Sequence, residues 1–129
     1  MAQEDKQLLL KDLSARLLYG VVCRVEFKDM EGWKVQNMPL KGVFIDECYF
    51  STDKGSTYSK EFKPYLRTLD SMTEEEKVKY HSYCDNYYDI YFDTIESIDY
   101  LNSIHVDYRG LIPKELAIEV TEENNPYKK

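Results

Sequence analysis

The sequence predicts an α+β fold: an N-terminal helix, a small antiparallel sheet or SH3-like partly open barrel, then two C-terminal helices. Three observations predict it. Leucines recur at helical spacing near the start of the chain. Short runs of alternating apolar and polar residues, separated by turn residues, follow from Val21 to Leu69. After Ser71 the period becomes helical again, announced by capping signals. A length of 129 residues is one domain's worth. A chain of that size buries roughly two-thirds of its unfolded surface. The expected division is a single domain over residues 1–122 and a flexible C-terminal tail over 123–129.

The first helix is expected over residues 5–18. Leu9, Leu10, Leu13 and Leu17 form its stripe, Leu8 and Leu18 widen it, and Gly20 stands where a capping glycine belongs. Val21, Cys23, Val25 and Phe27 alternate with polar residues, which predicts a strand with one wet face. Asp29–Gly32 reads as a turn, and Trp33–Met38 as a second strand with Trp33 and Val35 on its apolar face. Pro39 is expected to interrupt that strand. Gly42–Phe50 reads as a third strand, Ser51–Ser59 as a turn-rich segment, and Phe62–Leu69 as a short strand confined to an edge by Pro64.

Two overlapping capping boxes, Ser71 with Glu74 and Thr73 with Glu76, start a helix over about 73–84. A further box, Asp93 with Glu96, starts another over about 94–104, with Ile95, Ile98 and Leu101 as its apolar stripe. Residues 86–92 between them fit either a strand or a continued helix, and two helices with a break is the expected outcome. Gly110 and Pro113 mark a turn, and Leu116–Val120 is a last candidate strand.

Composition narrows the function classes. No run approaches the roughly 20 apolar residues that cross a membrane. The start, MAQEDKQLLLKDL, lacks the basic-then-apolar order of a signal peptide, so a cytoplasmic protein is expected. Cys23, Cys48 and Cys84 are odd in number and have no framework spacing, which favours small core residues over bridges. Net charge is −7, so nucleic acid is an unfavoured partner unless a local basic patch exists. The charge is concentrated. From Tyr80 to Tyr108 there is no Lys or Arg, while Asp85, Asp89, Asp93, Glu96, Asp99 and Asp107 fall within that span. Seven of the twelve tyrosines lie there too.

Three strings carry a resemblance: LLLKDLSARLLYGV at 8–21, KPYLRTLDSMTEEE at 63–76 and DYLNSIHVDYRGLIPKELAIE at 99–119. They resemble a group of small uncharacterised proteins common in gut anaerobic bacteria and in their phages and mobile elements. The resemblance covers both ends and the centre of the chain. It implies an accessory gene product of such an element, and no activity, ligand or catalytic residue that could be carried over.

The candidate chemistries each have a plainer structural alternative. In IHVDYRGLIP, residues 104–113, His105, Asp107 and Arg109 fall at alternate positions and would share one face of a strand. An enzyme centred on His105 and Asp107 would need a nucleophile or cofactor nearby, and no G-x-S-x-G elbow is present. The structural reading has Asp107 accepting hydrogen bonds in the turn, or pairing with Arg109 or His105, while Tyr108 and Leu111 pack inward. His81, Cys84 and Asp85 share helical spacing but lack the further ligands a zinc site needs. Lys60, Lys63 and Arg67, interleaved with Phe62 and Tyr65, form a basic-aromatic run that could stack single-stranded bases.

The acidic tyrosine segment stands apart. Tyrosine buries much area at low entropy cost and keeps a polar tip, which enriches it at interfaces. Asp85, Tyr87, Tyr88, Asp89, Tyr91 and Asp93 are therefore the expected partner-binding residues. A basic partner protein and mimicry of nucleic-acid charge are the two readings, against a solvated face over a tyrosine-rich core. The favoured function is a non-enzymatic protein-interaction module. No cofactor, metal or catalytic residue is assigned.

Overall fold

A computed structural model describes residues 2–52 and 55–128. In chain order the elements are α1 (Gln3–Arg16), β1 (Val22–Asp29), β2 (Gly32–Val43), β3 (Cys48–Thr52), β4 (Gly55–Ser59), β5 (Glu61–Leu66), α2 (Glu74–Tyr83), β6 (Asp85–Tyr87), β7 (Ile90–Phe92), α3 (Ile95–Ser103) and β8 (Ile118–Glu119). Six strands form one sheet in the order β4-β3-β2-β1-β5-β8. All its pairings are antiparallel except β5 with β8. β6 and β7 form a separate two-stranded sheet. The fold is thus mixed α+β, and no closed barrel is present among the described residues.

The sheet curls over α1. Leu9 and Leu13 from the helix are buried against Val21, Cys23 and Val25 of the β1 region, Met38 and Leu40 of β2, Cys48 and Phe50 of β3, and Phe62 and Leu66 of β5. Each such side chain contributes about 1.5–3 kcal/mol on burial. The Phe50 and Phe62 rings meet at 5.6 Å across the curl. Ser59 Oγ donates to the Glu26 carbonyl at 2.6 Å, which draws the end of β4 back to β1. Leu13 is fully buried, and truncating it to Ala would cost about 2–5 kcal/mol.

Several expectations are corrected. Leu18 is 91% exposed, because the helix tightens into a 3₁₀ turn at Leu17–Tyr19 before Gly20 (φ 71°) ends it. Trp33 and Val35 do not face the core. They stand opposite Lys28 and Glu26, and β2 turns Lys34, Gln36 and Met38 to the other side. Only Met38 of those three reaches the core, since the β1–β2 hairpin extends past the cover of α1. Pro39 does not stop β2. The strand changes partner there, from β1 to β3, with a bulge between Leu40 and Gly42.

The expected strand 42–50 is cut by a turn in which Phe44 N–H donates to the Glu47 carbonyl. The segment read as turn-rich contains β4. β5 is flanked on both sides, yet β8 reaches only Tyr65 and Leu66, so beside Pro64 one edge of β5 has no strand partner among the described residues. The capping box on α2 is Thr73 with Glu76, while Ser71 belongs to a preceding 3₁₀ turn. On α3 the box is Thr94 with Ser97 rather than Asp93 with Glu96. Its buried residues are Ser97, Leu101 and Asn102, and Ile95 is 79% exposed.

The three cysteines are free. Cys23 and Cys48 are buried and Cys84 is half-buried. Burial raises the Cys23 thiol well above its ordinary range and pushes Cys48 up to about 12, so both act as small apolar residues.

Candidate functional site

His105 has φ 63°, which breaks any extended run through IHVDYRGLIP, so His105, Asp107 and Arg109 do not share one strand face. Val106 instead bridges to Arg67: Arg67 N–H donates to the His105 carbonyl, and Asp107 N–H donates to the Arg67 carbonyl, each at 2.7 Å. The Asp107 carboxylate accepts from the backbone N–H groups of Arg109, Leu111 and Ile112 at 3.2, 3.0 and 2.9 Å. Gly110, at φ 76°, supplies the left-handed residue the turn requires.

Arg109 turns away from Asp107. Its Nε lies 3.2 Å from Asp12 Oδ1, with the N–H not aimed for a hydrogen bond. Asp12 and Arg16 are wholly buried. Arg16 Nε donates to Asp12 Oδ2 at 2.7 Å, and Arg16 Nη2 to the Val106 carbonyl at 2.7 Å. This ion pair ties α1 to the turn, and breaking it by removing one partner would cost about 3–5 kcal/mol.

His105 stacks on Tyr127 at 3.8 Å and 9°. Burial, helped by the charges of Arg16 and Arg67, holds the imidazole down to about 4, so it is neutral at pH 7. No hydrogen bond joins it to Asp107 among the described residues, and its buried Nδ1 has no partner among them. A groove of about 710 Å³ runs beside this stack, with Arg67, Ser71, Val120 and Asn125 on its walls. Arg67 is already engaged. It forms a forked pair with Glu76 at 2.9 and 2.7 Å and donates to Ser71 twice. That pair holds the Glu76 carboxyl down to about 2.

The basic run is dispersed in space. Lys60 pairs with Asp46 at 3.3 Å, Lys63 is exposed opposite Arg24 on the outer sheet face, and Arg67 faces Glu76. His81 stacks on Tyr91 at 4.1 Å. Among the described residues no three His, Cys, Asp or Glu side chains gather as a metal site would require.

The acidic tyrosine segment folds as a hairpin. Tyr88 and Asp89 have φ 52° and 62°, the type I′ geometry that suits a two-residue loop. Asp89 N–H donates to Asn86 Oδ1 at 3.0 Å and steadies it. The pairs are Asp85 with Phe92, Asn86 with Tyr91, and Tyr87 with Ile90. Side chains alternate, so Asn86 and Tyr91 take one face and Asp85, Tyr87, Ile90 and Phe92 the other. The Asn86–Tyr91 face leans on α2 through the His81 ring. The other is open: Tyr87 is 65%, Ile90 57% and Phe92 53% exposed. No family model, curated protein or solved structure matches the chain.

The six expected partner-binding residues therefore divide. Asp85, Tyr87, Tyr88 and Asp89 are exposed on the hairpin's outer face and tip. Tyr91 is on the inner face, against His81. Asp93 is a clamp at the hairpin's base, accepting from Tyr80 Oη at 2.5 Å and from Ser97 Oγ at 3.0 Å. Burial and that bond to Asp93 raise the Tyr80 hydroxyl's pKa. Ile90 and Phe92 complete the open face and were outside the expected set. Tyr88, Ile90 and Phe92 alternate in the sequence, but the loop at Tyr88–Asp89 replaces Tyr88 with Tyr87 on that face.

Proposed function

We propose that this protein is a non-enzymatic protein-interaction module whose contact surface is the tyrosine hairpin. The observation that carries this reading is the open face of Tyr87, Ile90 and Phe92, each more than half exposed. An isolated two-stranded hairpin is at best marginally stable in water, and apolar patches of this kind are found where partners dock. The acids Asp85 and Asp89 border the face, in a stretch of chain without Lys or Arg, which favours a basic partner. The strand order β4-β3-β2-β1-β5 and the Ser59–Glu26 closure support an SH3-like partly open barrel as the rigid scaffold. A phage or mobile-element context follows from the resemblance of the three sequence strings.

The test is affinity capture of the tagged chain from a lysate of the organism that encodes it, with and without nuclease, beside the variant Tyr87→Ser/Ile90→Ser. Both substitutions are at exposed positions, so circular dichroism should show an unchanged fold. A stoichiometric protein retained after nuclease by the native chain and lost by the variant is the expected result. Equal retention by the two chains would refute the hairpin as the contact surface, and retention that vanishes with nuclease would point to nucleic acid.

A further inference from the structure

Resting on that reading, we infer that the partner is an extended basic segment that adds to the β6–β7 hairpin as a third strand. The backbone sets this mode. In a hairpin with a two-residue loop, the flanking pair, here Tyr87 with Ile90, exchanges both ladder bonds. The next pair, Asn86 with Tyr91, therefore turns its N–H and C=O groups outward, one residue on each edge. The strands are only three residues long and Asp85 is charged, but three other devices that block pairing are absent. No proline, lysine or bulge occurs between Asp85 and Phe92.

Charge selects the occupant. Asp85 and Asp89 stand at the two ends of β6 and its loop, and Glu96 and Asp99 follow on α3. A second copy of the chain would bring the same acids together, at a net charge of −7 on each molecule. Like charges facing across an interface oppose association. Nucleic acid and anionic lipid are disfavoured for the same reason. A strand that alternates Lys or Arg with β-branched residues answers both features. Its apolar side chains extend the Tyr87, Ile90 and Phe92 face, and its cations, which alternation sends to the opposite face, are drawn by the summed negative charge of this region and not by a direct pair with Asp85.

The probe is a synthetic proline-free peptide alternating lysine with valine. It is compared with its glutamate counterpart and with a copy N-methylated at alternate residues, which keeps charge and side chains but cannot complete a ladder. Binding to the full chain is followed by NMR, with amide hydrogen exchange read over residues 84–93. The expected result is binding of the lysine peptide that weakens as salt rises, with slowed exchange at Asn86 or Tyr91. N-methylation should weaken it about tenfold or more. The variant Asp85→Asn/Asp89→Asn, which keeps side-chain shape and tolerates the left-handed residue, should weaken it about three- to tenfold.

If the N-methylated copy binds equally at the hairpin, strand addition is wrong while the interaction surface stands. Equal binding of the glutamate peptide overturns the charge argument. Absence of any lysine-peptide binding at millimolar concentration overturns the inference. Concentration-dependent self-association lost in Tyr87→Ser/Ile90→Ser would show that the occupant is a second copy, and would overturn it too.

Discussion

At Asp107 one carboxylate gathers three backbone N–H groups, and each would otherwise be left without a partner in a tight, mostly buried turn. Charged acceptors of this kind form the stronger class of protein hydrogen bond. His105 beside it has the opposite character. Its imidazole is packed flat on Tyr127 and is held neutral, its pKa lowered from 6.5 to about 4. The consequence for stability has a definite sign. Between pH 6.5 and 4 the unfolded chain takes up a proton on this residue and the folded chain does not, so stability falls as pH falls through that window. Urea unfolding at pH 7, 5.5 and 4 should show the decline, and His105→Asn, which tolerates φ 63°, should flatten it. An unchanged slope in the variant would refute the assignment. The Arg67–Glu76 pair acts in a different window. Its contribution is complete above 4.5 and is lost as pH falls toward about 2.

The same contrast between anchored and open recurs among the elements. α1 buries Leu9, Asp12, Leu13 and Arg16, and the sheet closes on it. α2, β6 and β7 have no buried residue. Their internal order comes from local devices: the Thr73–Glu76 box, the Asp93 clamp, the Thr94 hydroxyl donating to the Tyr83 carbonyl, and the His81–Tyr91 stack. Such a unit should be separable from the core. Replacing Asn86–Tyr91 by two glycines joins Asp85 and Phe92, positions already paired across the ladder. The thermal midpoint should shift by only a few degrees, in line with a loss of about 1 kcal/mol or less for exposed residues. A collapse of the cooperative transition would show that the hairpin supports the fold instead of being supported by it.

Over the molecule as a whole, the segment after β8 is tied to the central strands. The Tyr127 hydroxyl accepts from Val22 N–H at 3.0 Å and donates to the Tyr65 carbonyl at 2.7 Å, joining the segment after β8 to β1 and β5. Burial raises its pKa, so it remains a neutral donor. Asn124 ties the same segment to Thr121 and to the Glu119 carbonyl. Removing the hydroxyl with Tyr127→Phe leaves a buried carbonyl and N–H to find water. It should lower stability by about 1–2 kcal/mol, measured by chemical denaturation, and loosen the His105 stack. A loss under a few tenths would mean the anchor is dispensable.

What the sequence by itself determined is whatever rests on local chemistry. The leucine stripe of α1, the glycine that ends it, the alternation of β1, the Thr73–Glu76 box and the turn at Gly110 depend on residues within a few positions of one another, and all are legible without a fold. The concentration of acid and tyrosine after Tyr80 was legible in the same way. What only the tertiary structure decided depends on partners far along the chain. Trp33 is outward because register with β1 and the reach of α1 set its face. The Thr94 box displaced the Asp93 one because Tyr80 holds the Asp93 carboxylate. The hairpin was hidden because its loop puts a tyrosine, not a glycine or asparagine, at φ 52°. Asp12 and Arg16 look like an ordinary exposed helical pair until Val106, 90 residues later, supplies the carbonyl that makes their burial tolerable.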